Sequence, residues 1–159
     1  MEFFADILGG SFSAVSLQQA FVRLCAALAL GAIVGFEREA KGKAAGLRTH
    51  ILVAVGACLF TIVGQELAQL QFDGDDTKRI DPLRLIEAVT NGVAFLAAGL
   101  IFTRGGEVRN ITTGASMWLV GAIGLACGAG EIPLATLATG IVVLVLYVIG
   151  KTEEAATED

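Results

Sequence analysis

The stretch GFEREAKGKAAGLRTH, residues 35–50, joins two long apolar runs and decides the fold of this chain. Charged side chains pressed this closely against apolar sequence must lie at a membrane surface or in a polar seam between helices. A second stretch of the same kind, TRGGEVRN at residues 103–110, follows a later apolar run. Together the two stretches predict a small polytopic membrane protein with polar clusters on one face.

The composition supports a membrane protein. Hydrophobic residues make up 55% of the 159 positions and charged residues only 17%, whereas soluble domains are about 45–50% apolar and about a quarter charged. A globular core of this length cannot bury so much apolar surface, so the excess must face lipid. The net charge of −5 provides no basic surface for nucleic acid, and nucleic-acid binding is therefore excluded.

Five apolar segments come close to the length of about 20 residues that a membrane-spanning helix needs. They are residues 17–35, 47–70, 83–102, 111–128 and 132–150. We therefore predict an all-α fold, a transmembrane bundle of about five spanning helices. The predicted organisation is an N-terminal interfacial segment (1–16) containing Phe3, Phe4, Ile7 and Leu8, a transmembrane domain (17–150) and a disordered acidic tail (151–159).

The orientation follows from the Lys and Arg residues, which are enriched on the cytoplasmic side of membrane proteins. One side of the predicted bundle carries Arg38, Lys41, Lys43, Arg48, Arg104, Arg109 and Lys151. The opposite side carries Arg23, Lys78, Arg79 and Arg84. The first side is predicted to be cytoplasmic, which places the N-terminus outside and the C-terminus inside.

Small residues recur every fourth position on two of the predicted helices. They are Ala27, Gly31 and Gly35 on the first helix and Gly124 and Gly128 on the fourth. Such stripes let two helix backbones approach closely in a bilayer. The contact is either a homodimer seam or packing within one chain, and the sequence leaves both open.

A polar pair lies within the third predicted span. Glu87 and Asn91 are one helical turn apart, so their side chains share a face. Because an ionisable group in a span normally faces a partner or a watery cavity, this pair is the best candidate for an ion or proton site. The alternative is that Glu87 lies at the outer interface while Asn91 bonds a neighbouring helix.

The two charged stretches predict a cytoplasmic polar cluster that binds a ligand or a partner. An arginine guanidinium can bind a carboxylate or a phosphate through two parallel hydrogen bonds. A Thr or Asn at the start of a helix can cap that helix. The ligand would be phosphate-like, a lipid head group or the acidic residues of a partner. The alternative is positive-inside anchoring with internal Arg–Glu pairing. The cluster comprises Glu37, Arg38, Glu39, Arg48, Thr49, His50, Arg104, Arg109, Asn110, Thr112 and Thr113.

No signature of an enzyme or a metal site occurs in the sequence. The three cysteines, Cys25, Cys58 and Cys127, each lie in an apolar run without a CxxC motif or a Cys/His cluster. There is no G-x-S-x-G or H-E-x-x-H motif, and His50 is the single histidine. We therefore expect no catalytic activity, no metal ligands and no cofactor.

Four stretches of the chain resemble the bacterial MgtC/SapB family of inner-membrane proteins. They are LGAIVGFERE (residues 30–39), AGLRTHILV (45–53), NGVAFLAAGLIF (91–102) and RNITTGASMW (109–118). The resemblance carries the family's motif onto the polar cluster above and adds Gly46, Gly92, Gly99, Gly105, Gly106 and Trp118. Gly92 and Gly99 thereby join the helix-packing residues. Ala94, Ala97 and Asn110 depart from the family pattern, in which glycine is frequent.

The resemblance also implies a function. It indicates a multi-pass protein of the bacterial inner membrane, in the short form without a C-terminal cytoplasmic domain. The family is associated with growth at low magnesium and, in pathogens, with survival inside host cells. Its members are commonly viewed as regulators, including of the proton-driven ATP synthase.

Two functions follow as hypotheses. The first is a regulator that binds other membrane proteins in magnesium homeostasis, embedded among membrane lipids and plausible as a homodimer. The second is a transporter of magnesium, protons or another small solute.

Overall fold

The computed structural model describes residues 14–69 and 81–157 and is built from five helices and one short β-hairpin. In chain order these are α1 (Leu17–Ala40), α2 (Leu47–Gln69), α3 (Pro82–Leu100), β1 (Phe102–Arg104), β2 (Glu107–Arg109), α4 (Ile111–Ala129) and α5 (Ile132–Thr157). Four helical segments are long and apolar enough to cross a membrane: Leu17–Ala40, Leu47–Gln69, Leu83–Leu100 and Ile111–Ala129. In α5 the apolar stretch is shorter, Ile132–Val148. The predicted all-α membrane bundle is confirmed.

Helix starts are encoded locally. Ser16 caps α1, accepting a hydrogen bond from the Gln19 amide while the Gln19 side chain accepts one from the Ser16 amide. Asp81 caps α3 by accepting from the amide of Leu83, with Pro82 at the first helical position. Each cap satisfies amides that have no partner within the helix.

The β-hairpin between α3 and α4 was not predicted as strands. Phe102 pairs with Arg109 and Arg104 with Glu107 around a turn formed by Gly105 and Gly106. Both glycines have positive φ, 63° and 86°, and a two-residue hairpin turn of this kind requires left-handed backbone at both positions.

Helix α4 is the centre of the bundle. It contacts all four other helices, and 56% of its apolar window is buried, against 17% for α3. The core around it contains Ala27, Val34, Ala54, Cys58, Val120 and Cys127. Helix α3 rests mainly on α4 and touches α2 at few positions, so most of its surface is left uncovered.

Four of the predicted packing glycines lie in close helix contacts. A Cβ atom at Gly31 or Gly35 would meet α2, at 2.8 Å from Ala54 Cβ or Leu47 Cα respectively. Gly124 and Gly128 of α4 also lie against α2. Gly92 and Gly99 differ, since a Cβ there would find nothing within 4 Å in the described part of the chain. These two glycines thus make no close helix contact within the bundle.

The ends of the chain differ from the predicted organisation. Helix α5 continues through Gly150 to Thr157, so the disorder predicted for the acidic tail is wrong for residues 151–157. Five of its residues, Lys151, Glu153, Glu154, Ala155 and Ala156, are of types that favour a helix. The interfacial segment predicted at Phe3, Phe4, Ile7 and Leu8 lies outside the described residues.

Candidate functional site

An ionic cluster lies at the end of α1. It consists of Glu37 and Arg38 in the last turn and Lys41, which directly follows the helix. The Glu37 carboxylate accepts a hydrogen bond from Arg38 Nε and lies 3.2 Å from Lys41 Nζ. The Arg38 side chain is only 3% exposed. Lys41 Nζ also donates to the backbone oxygen of Leu146 at 3.3 Å. The cluster therefore pairs one carboxylate with two cations, and Lys41 ties the end of α1 to α5.

Glu39 serves the loop that follows. Its Oε2 accepts a hydrogen bond of 2.7 Å from the backbone amide of Leu47, the first residue of α2. A Cβ at Gly46 would stand 2.7 Å from the same oxygen, so the close approach needs glycine there. Glu39 is thus a cap supplied by the preceding helix.

We expect Glu39→Ala to lower the free energy of unfolding by about 1 kcal/mol, because it removes a helix cap. Hydrogen exchange at the Leu47 amide should speed up while exchange in the middle of α2 changes little. Lys43→Ala, on the same loop, is the matched control. Unchanged exchange at Leu47 in the Glu39 variant would show that the cap has no energetic role.

His50 links α2 to α4 inside the bundle. Its side chain is fully buried, with Nδ1 2.8 Å from the Gly46 carbonyl oxygen and Nε2 3.1 Å from Ser116 Oγ. Ser116 Oγ in turn donates to the Thr113 carbonyl oxygen at 2.9 Å. His50 and Thr113 are thereby joined through Ser116, which the sequence did not single out.

The number of protons on His50 and Ser116 limits how many of these three contacts can be hydrogen bonds at the same time. The carbonyl oxygens of Gly46 and Thr113, at its two ends, can only accept. Filling all three contacts requires a proton on each imidazole nitrogen and one on the Ser116 hydroxyl. A neutral imidazole supplies only one of its two, so one contact then lacks a proton.

Arg48 and Thr49 lie apart from both networks, at one end of a cleft between α2 and α3. Arg48 is exposed. In residues 14–69 and 81–157 it makes no hydrogen bond or ion pair. Both residues are thus directed toward the cleft and not toward the Arg38 cluster.

The second charged stretch contributes little to a shared site. Arg109 pairs with Glu107 at 3.4 Å, with the two side chains 55% and 75% exposed. Asn110 adopts a left-handed backbone, φ 65°, and its Nδ2 donates to the Leu100 carbonyl oxygen. Thr112 is exposed, while Thr113 is buried beside Ser116. The side chain of Arg104 is outside the described set. The predicted cluster is thus divided among separate places.

Glu87 and Asn91 are both exposed on α3. At 3.6 residues per turn they fall on the side opposite the residues that face the α2–α3 cleft. Ala94 and Ala98 continue the same exposed side. The pair therefore faces outward from the bundle and does not line an internal cavity in the described structure.

A polar network at the other end of the bundle was missed. The guanidinium of Arg23 donates to the Gly128 carbonyl oxygen at 2.7 Å and to Gln65 Oε1 at 3.1 Å, and Gln65 Nε2 donates to the same carbonyl. Nearby, the Glu66 carboxylate accepts from the amides of Ala14 and Val15. The available signal was an arginine inside an apolar run, which needs a partner.

No group of three or more His, Cys, Asp or Glu residues that could hold a metal ion occurs within residues 14–69 and 81–157.

Comparison with known proteins identifies relatives along most of the chain. The sequence pattern of the MgtC family matches residues 24–155. The chain is 39% identical over 122 residues to "Protein MgtC" of Brucella abortus (strain 2308), covering 77% of this chain and 48% of that protein. It is 39% identical over 129 residues to "Putative magnesium transporter YhiD" of Escherichia coli (strain K12), covering 79% and 57%.

"Protein MgtC" of Salmonella typhimurium (strain 14028s / SGSC 2262) is 36% identical over 121 residues, covering 76% of this chain and 48% of that protein. The chain therefore spans about half the length of the curated relatives it matches. No solved structure matches it significantly. With a family match over residues 24–155 and apolar helices long enough to cross a bilayer, this chain belongs to the MgtC family and is a membrane protein.

Proposed function

We propose that this chain is a regulator in the bacterial inner membrane that acts in adaptation to low magnesium. It binds another membrane protein through the side of α3 that faces away from the bundle. The observation that carries the proposal is the exposure of Glu87 and Asn91 on that helix. Both belong to the apolar segment Leu83–Leu100. The link to magnesium comes from the family and from the name of the Escherichia coli relative, "Putative magnesium transporter YhiD".

A polar side chain in hydrocarbon requires a hydrogen-bonding partner. Neither side chain makes a hydrogen bond within residues 14–69 and 81–157. An asparagine that bonds across a helix interface gains about 0.6–2 kcal/mol, and small residues beside it let the helices approach. Ala94 and Ala98, on the same side of α3, provide such a surface. A transmembrane helix with its own hydrogen-bonding side chain fits it.

Site-specific photo-cross-linking in native membranes tests the proposal. A photoreactive residue at Ala94 should give a discrete adduct with a different protein, and the same residue at Ile141, exposed on α5, should not. Adding Asn91→Leu should reduce the Ala94 adduct about threefold or more, because about 0.6–2 kcal/mol of interhelical hydrogen bonding is lost. The proton-driven ATP synthase, implied by the family resemblance, is the first candidate to seek in the adduct.

Other outcomes would contradict the proposal. An adduct of twice the chain's mass would make the partner a second copy. Equal adducts from Ala94 and Ile141 would indicate random collision.

Transport is the second candidate function, because the Escherichia coli relative is named "Putative magnesium transporter YhiD". Purified protein in liposomes would be tested for magnesium and proton flux separately. Saturable flux that falls in Glu87→Gln, relative to protein-free liposomes, would favour transport over regulation.

A further inference from the structure

The cleft between α2 and α3 is a feature of the bundle that the proposed function does not use. It has a volume of about 800 Å³ and is open along one side. Its walls are apolar and include Leu52 and Phe60 from α2 and Leu85, Val89 and Leu96 from α3. Its size is within the range of about 300–1,000 Å³ that is typical of small-molecule sites.

The cleft is open because its walls carry small residues where two helices could otherwise meet. Gly56 and Ala57 line it on α2, and Ala88 and Gly92 line it on α3. Among the residues that the structure describes, a Cβ at Gly56 or Gly92 would meet nothing within 4 Å. Because α3 packs mainly on α4 and touches α2 little, no backbone contact closes the gap.

One end of the cleft is polar and positively charged. Arg48 and Thr49, at the beginning of α2, are its polar lining side chains. The Arg48 guanidinium has no partner in the described part of the chain. The nearby Glu39 carboxylate is engaged by the Leu47 amide. An anionic group can therefore bind Arg48 without displacing an existing ion pair.

The length of the cleft suits a lipid acyl chain. It extends from Arg48 to Phe60 on α2 and from Leu100 to Leu85 on α3, which at 1.5 Å per residue is roughly 18 Å and 22 Å. A bilayer core is about 30 Å thick, so one leaflet is about 15 Å. The cleft is thus long enough to hold an acyl chain that enters from one membrane surface.

We propose that the α2–α3 cleft binds an anionic phospholipid, with an acyl chain between Leu52, Phe60 and Val89 and the phosphate on Arg48 and Thr49. The polar end lies at the start of a spanning helix, the level at which lipid phosphates lie. In the predicted orientation this is the cytoplasmic leaflet, whose anionic lipids attract basic residues near the surface. The lipid binds on the opposite side of α3 from Glu87 and Asn91.

Native mass spectrometry of the purified chain in mild detergent tests the site. Phosphatidylglycerol and phosphatidylcholine with identical acyl chains are titrated in parallel. Phosphatidylglycerol should bind about five- to tenfold more tightly. Arg48→Gln should reduce this ratio to about one. Gly56→Leu and, as a second variant, Gly92→Leu should abolish retention of both lipids by filling the cleft.

Matched variants separate the site from general effects. Gly140→Leu places the same side chain in equally open space on α5 and should retain the lipid. Arg109→Gln removes an exposed charge outside the cleft and should keep the preference. The proposal is overturned if Gly56→Leu and Gly92→Leu keep the lipid, if Arg109→Gln acts like Arg48→Gln, or if excess inorganic phosphate displaces it.

Discussion

Glu37→Ala should lower the free energy of unfolding by about 3 kcal/mol, because it leaves the buried Arg38 guanidinium without its carboxylate. The expected value is at the low end of the usual 3–5 kcal/mol, since Arg38 lies near the end of α1 and can partly reach the interface. Unfolding by SDS in mixed micelles, followed by the fluorescence of Trp118, the single tryptophan, measures the change.

Two further variants make this result specific to the buried pair. Glu107→Ala breaks the exposed pair with Arg109 and should cost less than about 1 kcal/mol. In the double variant Glu37→Ala/Arg38→Leu the uncompensated charge is gone, so most of the lost stability should return. If the double variant is as unstable as Glu37→Ala, the loss comes from packing and not from the charge.

Gly124→Ala should destabilise the bundle by about 1–3 kcal/mol or more, through overpacking at the α2–α4 contact. A Cβ at Gly124 would collide with the Ala54 carbonyl oxygen and stand 2.8 Å from its carbon and 2.9 Å from the Ala54 Cα. These are backbone atoms, which cannot rotate away as a flexible side chain can. One helix would have to shift against the other.

The matched control for this prediction is Gly140→Ala. Gly140 also lies within a helix, α5, but a Cβ there meets no atom of residues 14–69 and 81–157 within 4 Å. Alanine should therefore be neutral or stabilising by up to about 1 kcal/mol, because it favours a helix over glycine. The same SDS titration measures both variants. Equal destabilisation of the two would mean that Gly124 is not a close helix contact.

The spans could be predicted from the sequence because hydrophobic length is a strong signal. The segment predicted at residues 47–70 is Leu47–Gln69, and the one at 111–128 is Ile111–Ala129. The end of the first helix was less predictable. It continues through Glu37, Arg38 and Glu39 to Ala40, since these are adequate helix formers and Glu37 neutralises Arg38 without leaving the helix.

The division of the polar residues could not be predicted in the same way. Arg38 and Arg48 both belong to the first charged stretch, yet Arg38 is buried against Glu37 whereas Arg48, at the cleft, has no partner within residues 14–69 and 81–157. The difference depends on the rotation of each helix against its neighbours, which hydrophobic length does not encode. The partner of His50 is Ser116, 66 positions away, and such a long-range pairing has no local signal.

The cleft between α2 and α3 could not be predicted for the same reason. Gly56 and Gly92 resemble the packing glycines Gly31 and Gly124 in sequence, but they border open space. Only the placement of α3 on α4 distinguishes them.

The contact between Arg23 and the Gly128 carbonyl oxygen has a consequence for biosynthesis. The two residues are 105 positions apart, so α1 emerges from the ribosome long before its arginine can reach α4. Before α4 is made, Gln65 of α2, 42 positions from Arg23, is the partner that the arginine can reach, and an arginine in hydrocarbon needs one. The arginine of the first helix therefore acquires its full set of partners only after the fourth helix has been synthesised, and a chain truncated before Gly128 would leave the Arg23 network incomplete.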